Sequence, residues 1–293
     1  MAMKLRSYLR LMRVHQWIKN AFVLAPLFFS MRMFERESVI RSAIAFSVFC
    51  ACASAIYVLN DILDRKADQA HPKKSQRPLA AGHVSTRAAW LLLAVLAAIA
   101  LGLMRVAELG GEFNAVLAAY VAVSVSYSFG LKQIPLVEMF MVASGYVFRV
   151  LAGCFAIPVP ASEWILAATG SVALLITVGK RRVELSANLD PDRNRRSLGA
   201  YSIQYLDTLC SILAGVVIVT YLQYSISDYA IAQFGTHNLM ITSIFVAIGV
   251  FRYVHLIQTE SGADAPAEML LNDRSIQITI VAWLATFYLL VVL

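Results

Sequence analysis

Asn60, Asp61, Asp64 and Asp68 bring an amide and three carboxylates together at the end of a long apolar run, and Lys73, Lys74 and Arg77 follow closely. On a helix turning about 100° per residue, these four positions fall at about 0°, 100°, 40° and 80°, on one face about 12 Å long. Oxygen donors of this kind suit Mg²⁺, which keeps some of its waters and is held by carboxylates and substrate phosphates together. The basic residues suit the phosphates. The same residues would also make the solvated end of an amphipathic helix. Position favours chemistry, because the apolar run Ala43 to Leu59 carries the acids to or near membrane depth, where ionised groups are costly.

A second polar segment, Gly179-Lys180-Arg181-Arg182-Val183-Glu184, follows another apolar run, and Glu184 and Asn188 lie four apart on one helical face. Glu184 is a candidate for metal or substrate, with Asn188 as a neutral hydrogen-bonding partner. Lys180 and Arg181 are either phosphate clamps or anchors of membrane orientation. Tyr127 to Lys132 interrupts two further runs. Tyr127 is a candidate for substrate contact, and Lys132 either anchors orientation or reaches a phosphate. Lys19 would add to the same cationic rim. Arg149 sits in a run that is otherwise apolar and small, so it needs a partner, either a bound anion or an acid such as Glu138. Arg252 raises the same need, met by pairing among helices or by snorkelling.

The elements that must position these residues are membrane helices. Hydrophobic residues make up 59% of the 293 and charged residues 15%, a balance that a soluble domain could not easily hide. Apolar stretches recur at roughly 20–30, 39–59, 88–104, 113–129, 134–153, 164–179, 205–224, 237–256 and 276–293, most near the ~20 residues that span a bilayer. An all-α polytopic protein with nine transmembrane helices is therefore expected, folded as a single domain over residues 1–293. Continuous runs argue against a β-barrel. With the N-terminus inside, 19 Lys and Arg fall on internal segments and 4 on external ones, so the positive-inside rule puts the acidic and basic clusters on the cytoplasmic face.

The formal charge of +7 flanks membrane spans, which fits anionic lipid headgroups and phosphates better than nucleic acid. Residues 1–14 read as an amphipathic helix lying in the interface rather than a cleaved signal. Four cysteines at 50, 52, 154 and 210 lack metal-ligand spacing and read as small buried hydrophobes. Walker A, H-E-x-x-H and nucleophile-elbow patterns are missing, which removes ATP-driven transport and the common hydrolases.

Asn60 to Asp68, followed by Arg77-Pro78-Leu79-Ala80-Ala81-Gly82, resembles the first signature of the UbiA superfamily of intramembrane prenyltransferases. The resemblance extends over nearly the whole chain. It implies helices around a central cavity, two polar signatures facing the cytoplasm, and Mg²⁺ bridging a diphosphate to the acids. Members that consume prenyl diphosphates usually carry Asp-x-x-x-Asp as the second signature, whereas this chain has Glu184-x-x-x-Asn188.

Further segments are similar to one branch of that superfamily. They are Arg13-Val14-His15-Gln16-Trp17-Ile18-Lys19-Asn20, His71-Pro72 with Lys74, Phe148-Arg149 with Gly153, Gly179 to Glu184, and Glu268-Met269-Leu270-Leu271 with Asp273-Arg274. That branch transfers a 5-phosphoribosyl group from phosphoribosyl diphosphate to a polyprenyl (decaprenyl-type) phosphate in the bacterial plasma membrane, supplying arabinose for the cell wall. The resemblance implies Mg²⁺ at Asn60, Asp61, Asp64, Asp68 and Glu184, with basic clusters on the ribose 5-phosphate and the lipid phosphate. An aromatic or quinone prenyltransferase, or a non-enzymatic transporter or scaffold, are the competing expectations.

Overall fold

The computed structural model describes residues 2–71, 74–186, 197–259 and 272–292, and it is all-α. The chain is a multi-pass membrane protein. Among the described residues, seven helices are long and apolar enough to cross a bilayer. They are α3 (Arg36–Leu63), α5 (Thr86–Ala107), α7 (Val137–Ala156), α8 (Glu163–Ser186), α9 (Ile203–Ser225), α11 (Ser243–Thr259, continuing a 3₁₀ turn at Asn238–Thr242) and α12 (Arg274–Val292). Two of the nine expected spans fall short of that length and apolarity, for local reasons. Residues 14–29 form a 3₁₀ segment, Val14–Leu24, and a short helix α2, Ala25–Phe29, with Pro26 in its first turn. Proline has no amide hydrogen to continue a helix entering from before it. Helix α6, Gly110–Ser128, has the length but is diluted by Glu112, Asn114 and serines at 124, 126 and 128.

The N-terminal helix α1, Ala2–Leu11, stops short of residue 14. Arg13 then takes a left-handed conformation, φ 51°, and turns the chain into the 3₁₀ segment. Among the described residues, α4 (Arg65–Ala70) and α10 (Asp228–Phe234) are further short helices.

Two compact units divide the chain. One comprises Met1–Leu131 with Gly145–Pro160, and the other Lys132–Ser144 with Ala161–Leu293. In the first unit α3 is the central element, packing along α5 and against α6 and the 3₁₀ segment. Val48, Phe49, Phe113 and Leu117 fill one apolar cluster there, and Leu11, Val58, Leu79, Val84 and Leu96 fill a second. Gly153 touches the entry segment so closely that a methyl group would overlap the Val23 carbonyl oxygen and come within 3.0 Å of Pro26. In the second unit α8, α9, α11 and α12 pack in sequence, with Met139, Val178, Val183, Tyr201, Leu206 and Tyr253 in the core. Large apolar side chains on α5 and α12, such as Leu91, Leu101, Ile278 and Val281, are exposed and meet lipid. Lipid tails are as apolar as these side chains, so close packing and hydrogen bonds must hold the helices to one another.

Candidate active site

Helix α3 runs unbroken to Leu63, and Asp64 caps it before α4 begins at Arg65. The backbone keeps helical pairing across this junction, Asp64 N–H to the Asn60 carbonyl and Asp68 N–H to that of Asp64. The spacing from 60 to 68 is therefore preserved. Asp61 and Asp68 are buried, while Asn60 and Asp64 are half-buried. A single nitrogen of Arg77, Nη1, lies 2.7 Å from Asp68 Oδ2 and 3.3 Å from Asp61 Oδ1. Arg13 Nη2 donates to the same Asp61 oxygen at 2.7 Å, and its guanidinium covers the Tyr57 ring at 4.8 Å.

Both arginines are delivered by the second apolar cluster. Leu79 and Val84 sink the loop after α4 into it, and Gly82, φ 76°, makes the turn between them. Leu11 sinks the end of α1 into the same cluster, which sets Arg13 beside Asp61. Ser54 strengthens that placement by accepting from Trp17 Nε1 and donating to the Met12 carbonyl.

Asp61 and Asp68 thus converge on one positive group, and this is the test of fit for a divalent cation. Among the described residues no group of three or more His, Cys, Asp and Glu is gathered for a metal. Mg²⁺ shared with a substrate phosphate needs only one or two carboxylates, so the donor set fits.

Arg149 is buried in the first unit and reaches neutral groups. Its Nε donates to Asn20 Oδ1 at 2.8 Å, Nη1 to the Gly145 carbonyl at 2.7 Å and Nη2 to the Tyr120 hydroxyl at 3.1 Å. Phe49, Tyr120 and Tyr146 present their rings to it within 5.8 Å. Glu138, one of the two kinds of partner open to it from the sequence, is engaged elsewhere. Both Glu138 oxygens accept from Arg181, at 2.6 Å from Nε and 2.5 Å from Nη2, and Arg181 Nη1 donates to Glu184 Oε2 at 2.5 Å. Arg181 is accordingly an internal bridge, buried with its nitrogens turned to two acids, rather than an open cation. Lys180 is exposed, 3.9 Å from Glu184 Oε1.

Lys19, Lys74, Tyr127 and Lys132 are half-buried. The carbonyl of Lys132 accepts from Ser197 Oγ at 3.3 Å, which ties down the turn carrying this lysine. Lys73 and Asn188, and residues 268–271 of the late motif, lie outside the described residues. Asp273 and Arg274 are described. Asp273 pairs with Arg252 at 2.8 Å and caps α12 by accepting from the Ile276 amide. The Arg252 hydrogen bond, aided by that amide, holds the Asp273 carboxyl below its usual range. The cysteines are all free thiols; Cys50, Cys154 and Cys210 are buried and Cys52 half-buried.

Sequence reasoning assigned no role to Arg13, Asn20, Tyr120 or the Glu138–Arg181 pair. The early motif held a signal, because three of its side chains have targets in the fold. Arg13 meets Asp61, Trp17 meets Ser54, and Asn20 meets Arg149 and donates to Cys50 Sγ at 3.2 Å.

An acidic helix end inside a polytopic α-helical fold, with arginines folded onto it, defines a known class, and the chain belongs to the UbiA prenyltransferase family, which matches residues 23–280. Within that family it is closely related to decaprenyl-phosphate phosphoribosyltransferases. The protein of that name from Corynebacterium glutamicum is 33% identical over 281 residues, covering 94% of this chain and 83% of its own length. Its counterpart from Mycolicibacterium smegmatis is 34% identical over 290 residues, covering 95% and 90%. A UbiA homologue from Archaeoglobus fulgidus, solved bound to GPP and Mg²⁺, superposes with a TM-score of 0.71 at 16% identity over 98% of this chain and all of its own.

Proposed function

We propose that this protein transfers a 5-phosphoribosyl group from phosphoribosyl diphosphate to a polyprenyl phosphate of the decaprenyl type, releasing pyrophosphate. The observation that carries the reaction class is the convergence of Asp61 and Asp68 on one cation position. Likeness to the two actinobacterial transferases over nearly the whole chain supports the donor and acceptor. In the reaction the bond from the anomeric carbon to the pyrophosphate oxygen breaks, and a bond from that carbon to an acceptor phosphate oxygen forms. The acceptor is already anionic near neutral pH, its second pKa being about 6, so no protein base has to remove a proton.

Asp61, Asp64 and Asp68, with Asn60 assisting, hold Mg²⁺ and the donor diphosphate, and Glu184 supports the metal or the ribose. When bound, Mg²⁺ supplies positive charge against the departing pyrophosphate. Lys19, Lys73, Lys74, Arg77, Lys132 and Lys180 hold phosphates, and Tyr127, Arg149 and Asn188 complete the substrate contacts. Fewer acids in the second signature suit one diphosphate, with sugar hydroxyls donating to Glu184 and exchanging hydrogen bonds with Asn188. The site faces the cytoplasm from a bacterial plasma membrane, and the product serves the arabinan of the cell wall. Residues 1–293 act as one transferase with nine membrane passes, the stretch at roughly 20–30 and α6 making the two beyond the seven long apolar helices.

The deciding experiment gives purified protein Mg²⁺ and decaprenyl phosphate with either phosphoribosyl diphosphate or geranyl diphosphate, reading product mass and pyrophosphate release. Phosphoribosyl transfer is expected. Transfer from geranyl diphosphate alone, to this or to an aromatic acceptor, would overturn the donor assignment and leave family membership standing.

A further inference from the structure

Glu138 is wholly buried in the second unit, in the first turn of α7, with both carboxylate oxygens on Arg181. We propose that Glu138 is a positioning residue for the transfer: it fixes Arg181 so that Glu184 keeps one carboxylate oxygen, and a net negative charge, available to the metal and diphosphate. The proposal rests on the assignment of Glu184 to that role.

The geometry is that of a forked clamp. Nε and Nη2 of Arg181 grip the two oxygens of Glu138, which sets the plane of the guanidinium and hence the direction of Nη1. Nη1 takes Glu184 Oε2 and leaves Oε1, which has the exposed ammonium of Lys180 3.9 Å away. Glu184 is about one-third exposed, whereas Glu138 and Arg181 are closed off from solvent. The polar bridge therefore runs from the core outward and ends on one carboxylate.

Charge makes the same point. Glu138, Arg181 and Glu184 sum to −1, beside the Lys180 ammonium 3.9 Å from Oε1, and a neutral residue at 138 raises that three-residue sum to zero. Arg181 would then neutralise Glu184 alone, and a cation would gain little from it. A buried ion pair is a weak source of stability, because desolvating two charges offsets their attraction, and an apolar pair of similar volume often does as well. What an apolar pair cannot do is aim Nη1 at one oxygen of Glu184. Backbone restraints hold the clamp in place. Leu136 is held left-handed, φ 62°, just before α7, with its amide donating to the Tyr201 hydroxyl at 2.6 Å, and Met139 packs in the core with Val178, Val183 and Tyr201.

The test uses the full chain in detergent, with Mn²⁺ as an EPR-visible probe and pyrophosphate present, so that binding is read without turnover. Glu138→Gln is expected to weaken Mn²⁺ binding about tenfold, the order for one unit of charge across a partly solvated site. The double variant Glu138→Gln/Arg181→Gln restores the sum to −1 and is expected to bind within about threefold of the parent. Glu184→Gln is the control. If Glu184→Gln binds Mn²⁺ like the parent, the metal role of Glu184 is wrong and the underlying reading fails at this residue. If Glu184→Gln weakens binding but Glu138→Gln only lowers the melting temperature, Glu138 is a structural ion and the proposal is overturned. Should the single variant not fold, the double variant decides: binding as weak as in Glu184→Gln would sink the idea.

Discussion

Arg77 holds Asp61 and Asp68 through one nitrogen, so this side chain carries the electrostatics of the acidic cluster when no metal is bound. Replacing it with methionine leaves two buried carboxylates with Arg13 as their one remaining described arginine partner, and Asp68 loses its guanidinium. Arg77→Met is therefore expected to lower the melting temperature of metal-free protein and to respond to added Mg²⁺ with a larger upward shift than the parent shows. Equal Mg²⁺ shifts in both proteins would detach Arg77 from the cation position. Asp64 stands at the junction of α3 and α4 with its backbone pairing intact, so Asp64→Asn should fold normally. Its turnover should fall at least about 10²-fold, the order for losing an electrostatic contact to a transition state. Parent-like turnover from a well-folded Asp64→Asn protein would remove this residue from the metal set.

At the scale of elements, two glycines set how closely helices approach. A methyl at Gly153 meets backbone and a proline ring, neither of which can swing aside, while one at Gly179 meets the Tyr253 side chain of α11. Overpacking of this kind costs about 1–3 kcal/mol. Gly153→Ala is expected to lower the melting temperature more than Gly179→Ala, and the reverse order would contradict the packing described. Most of the spans were legible in the sequence, because ~20 continuous apolar residues have few alternatives in a membrane. Residues 14–29 were not. Their composition is apolar enough, but Pro26 and the left-handed Arg13 divide them into short pieces, and the signal for a turn at a non-glycine residue is tertiary. Site residues followed the same rule. The carboxylates at 61, 64 and 68 are neighbours on one segment and could be read locally. Arg13 with Asp61, and Arg181 with Glu138, join residues 48 and 43 positions apart, and nothing in local spacing encodes such pairs.

For the whole molecule, the testable statement is its orientation in the bilayer. In the proposed orientation, which follows the 19-to-4 distribution of basic residues, the loop after α4 lies in the cytoplasm. His83 in that loop is exposed, and the native cysteines are buried or half-buried within membrane helices. A cysteine placed at His83 should react with a membrane-impermeant maleimide in inverted vesicles and stay unlabelled in intact cells; labelling in intact cells would invert the topology.

One arginine nitrogen shared by two aspartates also has a thermodynamic consequence. In the proposed site, a divalent ion arriving at Asp61 and Asp68 must first displace a resident charge, so by itself it is expected to bind weakly. The guanidinium it releases is then free to meet an anion, and a diphosphate arriving with the metal provides one. Each ligand removes the obstacle to the other, so metal and diphosphate should bind with positive cooperativity. By linkage, the factor by which diphosphate tightens the metal equals the factor by which the metal tightens diphosphate. In Arg77→Met that reciprocal factor should shrink toward one, even where the separate affinity for the metal has risen.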